Sequence, residues 1–156
     1  MARIYRIMFE DVAVAAAQDL IQITGAAGKI VRIKHWWWGA TNTTAPTNQQ
    51  IKTRCRFLPA TVTNGSGGTT PTISKNDPGD ATASLTALVN NTTKATTSGT
   101  AIVLDEGGDN IFSGRDIITP NPPVIGPSEA FVFELLSTPT GTVNMSGGVE
   151  VEEIGG

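Results

Sequence analysis

The chain has 156 residues and a formal net charge of −3, with 39% hydrophobic and only 16% charged side chains. That length suits one domain that buries about two thirds of its unfolded surface, so a disulfide scaffold is excluded, and the single cysteine, Cys55, has no internal partner. The charge balance offers no broad attraction for nucleic acid, and β-branched residues punctuated by 17 Gly and 9 Pro exclude disorder and point to an all-β domain with many turns.

Residues 3–9 alternate, with Ile4 and Arg6 set against Tyr5, Ile7 and Phe9, and predict a first strand that Glu10 and Asp11 end. The alanine-rich run 13–17 favours helix by propensity but is too short to stand alone. A strand over 19–24 puts Leu20 on one face and leaves Ile21 and Ile23 needing cover; 25–28 is a turn. Residues 29–38 form the strongest strand, followed by a polar loop over 40–49. Ile51, Thr53, Cys55 and Phe57 alternate with Lys52, Arg54 and Arg56, a half-buried strand in which Cys55 serves packing. Residues 61–79 read as a long Thr/Gly/Pro-rich loop, exposed or draped over a neighbour. Ala81, Ala83, Leu85, Ala87 and Val89 predict a strand, with a short helix after Asp80 as the alternative.

A strand over 100–104 leads into an acidic turn at 105–110, and Ser113 and Gly114 make a second turn between Ile111, Phe112 and Ile117, Ile118. Prolines stiffen 120–127. Phe131, Phe133 and Leu135 face one way along a strand at 130–136, and 138–141 turns into the closing strand, where Val149 and Val151 alternate with Glu150 and Glu152. About eight strands, separated by roughly ten to fifteen residues, predict an antiparallel β-sandwich, jelly-roll-like, over 1–156, with 1–10 an arm or edge strand and 61–79 its long loop. No apolar run approaches the roughly eighteen residues of a membrane span or a leader's apolar core, so the expected site of synthesis is a cytosol, with no membrane partner.

Reactive side chains are few. His35 is the only histidine, so a His-based metal cluster is impossible within one chain, and no Gly-x-Ser-x-Gly elbow accompanies it. The expectation is no enzyme and no cofactor, with His35 a strand residue at a rim or interface. Gly25 to Lys29 lacks phosphate-loop spacing, Ile30 standing where Ser or Thr would bind magnesium. Asp105, Glu106, Asp109 and Asn110 offer oxygens to a calcium ion but read more simply as an acidic turn. Asn-x-Ser/Thr triplets, at Asn42 and Asn144 among others, follow from abundant threonine.

Trp36, Trp37 and Trp38 are the oddest local feature. Neighbouring strand side chains point to opposite faces, so Trp36 and Trp38 share one face and Trp37 takes the other. A second core layer, a subunit interface and a sugar-stacking platform all fit. Arg32, Lys34, Lys52, Arg54 and Arg56 make a basic strip if their two strands are neighbours.

An ordered set of residues carries a resemblance. Val14, Gln18, Asp19, Leu20 and Ile21 follow the opening strand; then come Asn76, Asp77, Pro78, Gly79 and Asp80; then Val89, Asn90, Asn91, Thr92 and Thr93; and the chain closes on Ser146, Gly147, Gly148, Glu152, Glu153, Ile154, Gly155 and Gly156. This resembles a family of small virion proteins of tailed bacteriophages across nearly the whole chain, outside the tryptophan triplet. The resemblance implies a head decoration (cement) protein, a β-rich homotrimer seated on the major capsid protein at the capsid surface and made in the bacterial cytoplasm. It supplies no functional motif. Interface candidates therefore come from the residues themselves: Arg3, Tyr5, Arg6, Trp36, Trp37 and Trp38, with the 61–79 loop. A carbohydrate-binding or host-attachment module displayed on the virion is the competing reading, and an enzyme the third.

Overall fold

The structure, a computed structural model, describes residues 2–155. Its strands are β1 (Ala2–Val14), β2 (Asp19–Thr24), β3 (Ile30–Ala40), β4 (Gln50–Leu58), β5 (Val62–Thr63), β6 (Ile73–Lys75), β7 (Thr86–Asn91), β8 (Thr96–Thr97), β9 (Ile102–Asn110), β10 (Arg115–Ile118), β11 (Val124–Ile125), β12 (Ala130–Leu135) and β13 (Val143–Ile154). Eight reach six residues or more, matching the eight that alternation predicts. The rest are two to four residues long, below what periodicity can detect.

One sheet runs β10-β3-β13-β1-β6, with β11 also on β3, and the second runs β7-β2-β12-β4-β9. β4 pairs with β9, β3 with β10, β2 with β12 and β1 with β13, all antiparallel. The chain is thus one long hairpin wound on itself, its successive strands alternating between sheets, which is the winding of a jelly roll. The sheets pack as a β-sandwich. Residues 59–101 form an insertion at the tip of the hairpin. It returns to one flank, adding β6 to β1 and β7 to β2.

Tyr5, Ile7 and Phe9 of β1 share the core with Val149 and Val151 of β13, and with Ile21, Ile23, Phe131 and Phe133 of the facing sheet. Each fully buried side chain of this size contributes roughly 1.5–3 kcal/mol. The alternation expected of β12 holds, but its other face is covered too. Ala130 and Val132 pack with Leu58 and Ala95 beneath the insertion, so all six residues of the strand are buried.

Several expectations are corrected. Glu10 and Asp11 do not end β1. They form a bulge, the register with β13 shifting between Phe9 and Val12 and Asp11 taking φ 46°. Among the described residues no helix forms, so neither 13–17 nor the segment after Asp80 is helical. Residues 105–110 are strand rather than turn, because β4 presents an open edge that they pair with, Gln50 opposite Asn110. Residues 2–10 are no arm: β13 pairs them on one side and β6 covers Tyr5–Ile7 on the other. The 61–79 segment is fastened rather than draped. β5 pairs with β8, Thr69 bridges to Val89, and Ser66 to Thr93. Its glycines allow this: a Cβ on Gly68 would run into the Val89 carbonyl.

Candidate docking face

A second bulge decides the tryptophans. The β3–β13 register shifts between Glu150 and Val151, opposite His35 and Ile33, so Lys34 is an extra residue and the alternation changes phase. Val31 and Ile33 point inward before it, Trp36 and Trp38 after it. Both indoles are buried, and Trp36 meets Phe131 of the opposite sheet at 5.8 Å between ring centroids. Trp37 is left on the outer face.

There it lies over a glycine floor. A Cβ on Gly148 would stand 2.8 Å from Trp37 Cζ2 and 2.5 Å from Met8 Sδ, so only glycine lets these two side chains close over the sheet. His35 stacks on Trp37 at 4.5 Å, and its Nε2 is 2.8 Å from Asp116 Oδ1 on β10. Arg6 donates to Glu150 at 3.0 Å and Arg32 to Glu152 at 3.2 Å in the neighbouring rows. The result is a strand-built face with one indole among charge pairs.

The other sequence candidates divide by burial. Arg3 faces Asp80 at 3.6 Å and is a quarter exposed; Arg6 is half exposed. Tyr5 is in the core and donates its hydroxyl to the Ala81 carbonyl, so it fastens the insertion and faces no partner. Burial withdraws Trp36 and Trp38 in the same way. The basic strip does not exist, because β3 and β4 lie in different sheets. Asp105 and Asp109 do not open toward an ion: both hydrogen-bond Arg115, at 2.8–2.9 Å.

Sequence reasoning missed a buried ionic cluster on the outer side of the second sheet. Glu134 is fully buried and takes Arg54 Nε at 2.7 Å and Lys94 Nζ at 2.7 Å, with Arg56 Nε 2.6 Å away but not aligned for a hydrogen bond. Asp19, also fully buried, accepts the Ala95 N–H on Oδ2 at 2.6 Å, while its Oδ1 has no hydrogen bond and Arg56 Nη2 stands 3.9 Å away. The signal available was a lone acid inside each of two apolar runs, Phe133-Glu134-Leu135 and Asp19 before Leu20. Lys94 and Ala95 belong to the insertion, so the cluster ties that layer to the sandwich.

Burial pushes the Asp19 carboxyl up to about 6 from 3.8, with Glu134 adding to the rise and the Ala95 N–H, Arg56 and Lys94 opposing it. The folded value exceeds the unfolded one. Its stabilisation is therefore complete below pH 3.8 and lost as pH rises through about 6. Asp19→Asn is expected to be more stable than the parent at pH 7, by up to about 3 kcal/mol, with the gain vanishing below pH 4. Urea denaturation at both pH values checks this; a variant weaker than the parent at pH 7 would show the ionised carboxylate to be stabilising.

No family model, curated protein or solved structure matches this chain. One open cleft of about 350 Å³ lies between β1 and the insertion near Glu10 and Asn90, and another of about 600 Å³ lies near Asn64 and Glu129. Neither includes Trp37 or the ionic cluster. The first sheet's outer face is thus the surface that gathers an aromatic anchor and charged groups together.

Proposed function

We propose that this protein is a non-enzymatic virion structural component, a head decoration protein. In this reading it binds the outer surface of the head as a homo-oligomer, a trimer, and stabilises contacts between major capsid subunits after synthesis in the bacterial cytoplasm. The observation that supports it is the outer face of the first sheet, where Trp37 sits on Gly148 among the Arg6–Glu150, Arg32–Glu152 and His35–Asp116 pairs. An aromatic anchor within a polar rim is the anatomy of a protein–protein contact. Jelly rolls recur in viral capsid and lectin domains, which is an analogy of fold and favours no single activity. Linked copies would multiply weak individual contacts.

Cosedimentation with purified, undecorated phage heads tests the proposal. Wild-type protein is expected in the pellet. Trp37→Ala is expected to lose about 2 kcal/mol of binding, roughly thirtyfold in affinity, with its circular dichroism unchanged. Wild-type protein that stays in the supernatant overturns the reading. The same half-buried, outward-facing indole, with Asp116 beside it, favours carbohydrate binding as the second reading. A glycan array that retains wild-type protein but not Trp37→Ala, with no binding to heads, would decide for it.

A further inference from the structure

We propose that Asn64 is a site of spontaneous deamidation that the folded chain keeps closed, the buried side chain of Gln22 being the group that holds it shut. Asn64 is the only asparagine followed by glycine, and no aspartate is followed by one. The Asn64–Gly65 pair lies in the insertion, between Thr63, the last residue of β5, and Ser66, which bridges to Thr93. Asn64 is exposed and Gly65 is buried. The site lies outside the Trp37 face and does not depend on the decoration reading.

A glycine after asparagine leaves its peptide nitrogen uncrowded and its backbone free to turn. Once that nitrogen loses its proton it can attack Asn64 Cγ. The new C–N bond closes a five-membered succinimide, and the Cγ–Nδ2 bond breaks, Nδ2 leaving with a proton as ammonia. Water then adds to either ring carbonyl and opens the ring. The product is aspartate, or isoaspartate where the main chain runs on through the side-chain carbon. One water is taken up, one ammonia is released and one negative charge is gained, with no oxidant and no metal.

Gln22 meets both reacting groups. It is 1% exposed, opposite Val132 on the side of β2 that the insertion covers. Its Oε1 accepts the Gly65 N–H at 3.0 Å, and its Nε2 donates to Asn64 Oδ1 at 2.6 Å. A backbone N–H can only donate, so the glutamine atom facing Gly65 is the oxygen and the one facing Asn64 the nitrogen. Three barriers follow. The proton that must leave is held in a hydrogen bond away from water. A deprotonated nitrogen would be a buried anion facing an oxygen that has nothing to donate. The nitrogen also cannot turn toward Cγ, because Gly65 is wedged in place: a Cβ there would stand 2.6 Å from Asn91 Nδ2 and 2.7 Å from the Thr93 carbonyl. The Ser66 N–H donates to that same carbonyl at 3.0 Å and fixes the next residue. Reaction therefore waits for local opening of the insertion, and its rate follows the open population.

Intact mass and peptide mapping of the full chain, incubated at mildly alkaline pH both folded and in concentrated urea, test this. In urea a gain of one dalton is expected, mapped to Asn64, with isoaspartate in the product. Folded wild type is expected to react about tenfold slower or more. Gln22→Ala, with circular dichroism unchanged, should speed the folded reaction about tenfold, since the site loses two hydrogen bonds. A second measurement needs no variant: in graded urea below the unfolding transition, loss of Asn64 in wild type should rise in step with hydrogen exchange at the Gly65 amide. An Asn64 that survives in urea, or a mass gain that maps to another asparagine, overturns the site. A folded wild type that reacts as fast as the unfolded chain, a folded Gln22→Ala as slow as wild type, or a loss of Asn64 that does not follow Gly65 exchange overturns the role of Gln22.

Discussion

Glu134→Ala is expected to destabilise the protein by about 3 kcal/mol at pH 7, enough to remove a large part of a domain's usual margin. The glutamate is fully buried and holds Arg54 and Lys94 by charged hydrogen bonds, with Arg56 against the same oxygen. Removing it leaves three cations facing one another, with Glu106 3.8 Å from Arg54 and Asp19 3.9 Å from Arg56 as the acids that remain. Breaking a buried pair usually costs about 3–5 kcal/mol; Arg54 and Lys94 are roughly 30% exposed and regain some hydration, which places the value at the lower end. Glu134→Gln keeps an acceptor for Arg54 and should lose less. Because Lys94 joins the insertion to the second sheet, the alanine variant should also be cut sooner by protease within 59–101. Guanidinium denaturation decides the first point: a loss under about 1 kcal/mol would mean the cluster is no more than a set of surface pairs.

The tryptophan triplet should split in the same assay. Trp36→Ala is expected to cost about 3–5 kcal/mol, since it opens a cavity between the sheets at the contact with Phe131. Trp37→Ala should cost about 1 kcal/mol or less, because its ring rests on the outside of the same strand. Trp36→Phe should sit between them: it loses volume but also removes an indole N–H that has no hydrogen-bond partner. Equal losses at positions 36 and 37 would contradict the phase change at Lys34. Without that bulge, strict alternation from Ile33 would place His35 and Trp37 in the core and Trp36 and Trp38 outside.

The alternating segments made the fold class readable. Runs such as 51–57, 130–136 and 149–152 each pattern one face for burial, and a period of two survives whatever the strand pairs with. Where the reading was wrong, a local pattern had yielded to a neighbour. Residues 105–110 carry acids and glycines that suit a turn, yet they are strand because β4 needed a partner. Tyr5 looked available because its neighbours Arg3 and Arg6 are polar, yet it points inward and holds the insertion. The Arg54 and Arg56 side chains looked solvated, yet the insertion folds Lys94 over Glu134 and draws them into a buried cluster.

The amino-acid order by itself determined a turn-rich β domain and singled out the tryptophan triplet, since composition and alternation are local properties. Only the tertiary structure decided that Trp37 is the outward indole and that the long Thr/Gly/Pro stretch is fastened along one flank. Those outcomes depend on register, bulges and the order in which strands pair, and pairing joins residues as far apart as Ala2 and Ile154. No window along the chain contains both partners of such a contact.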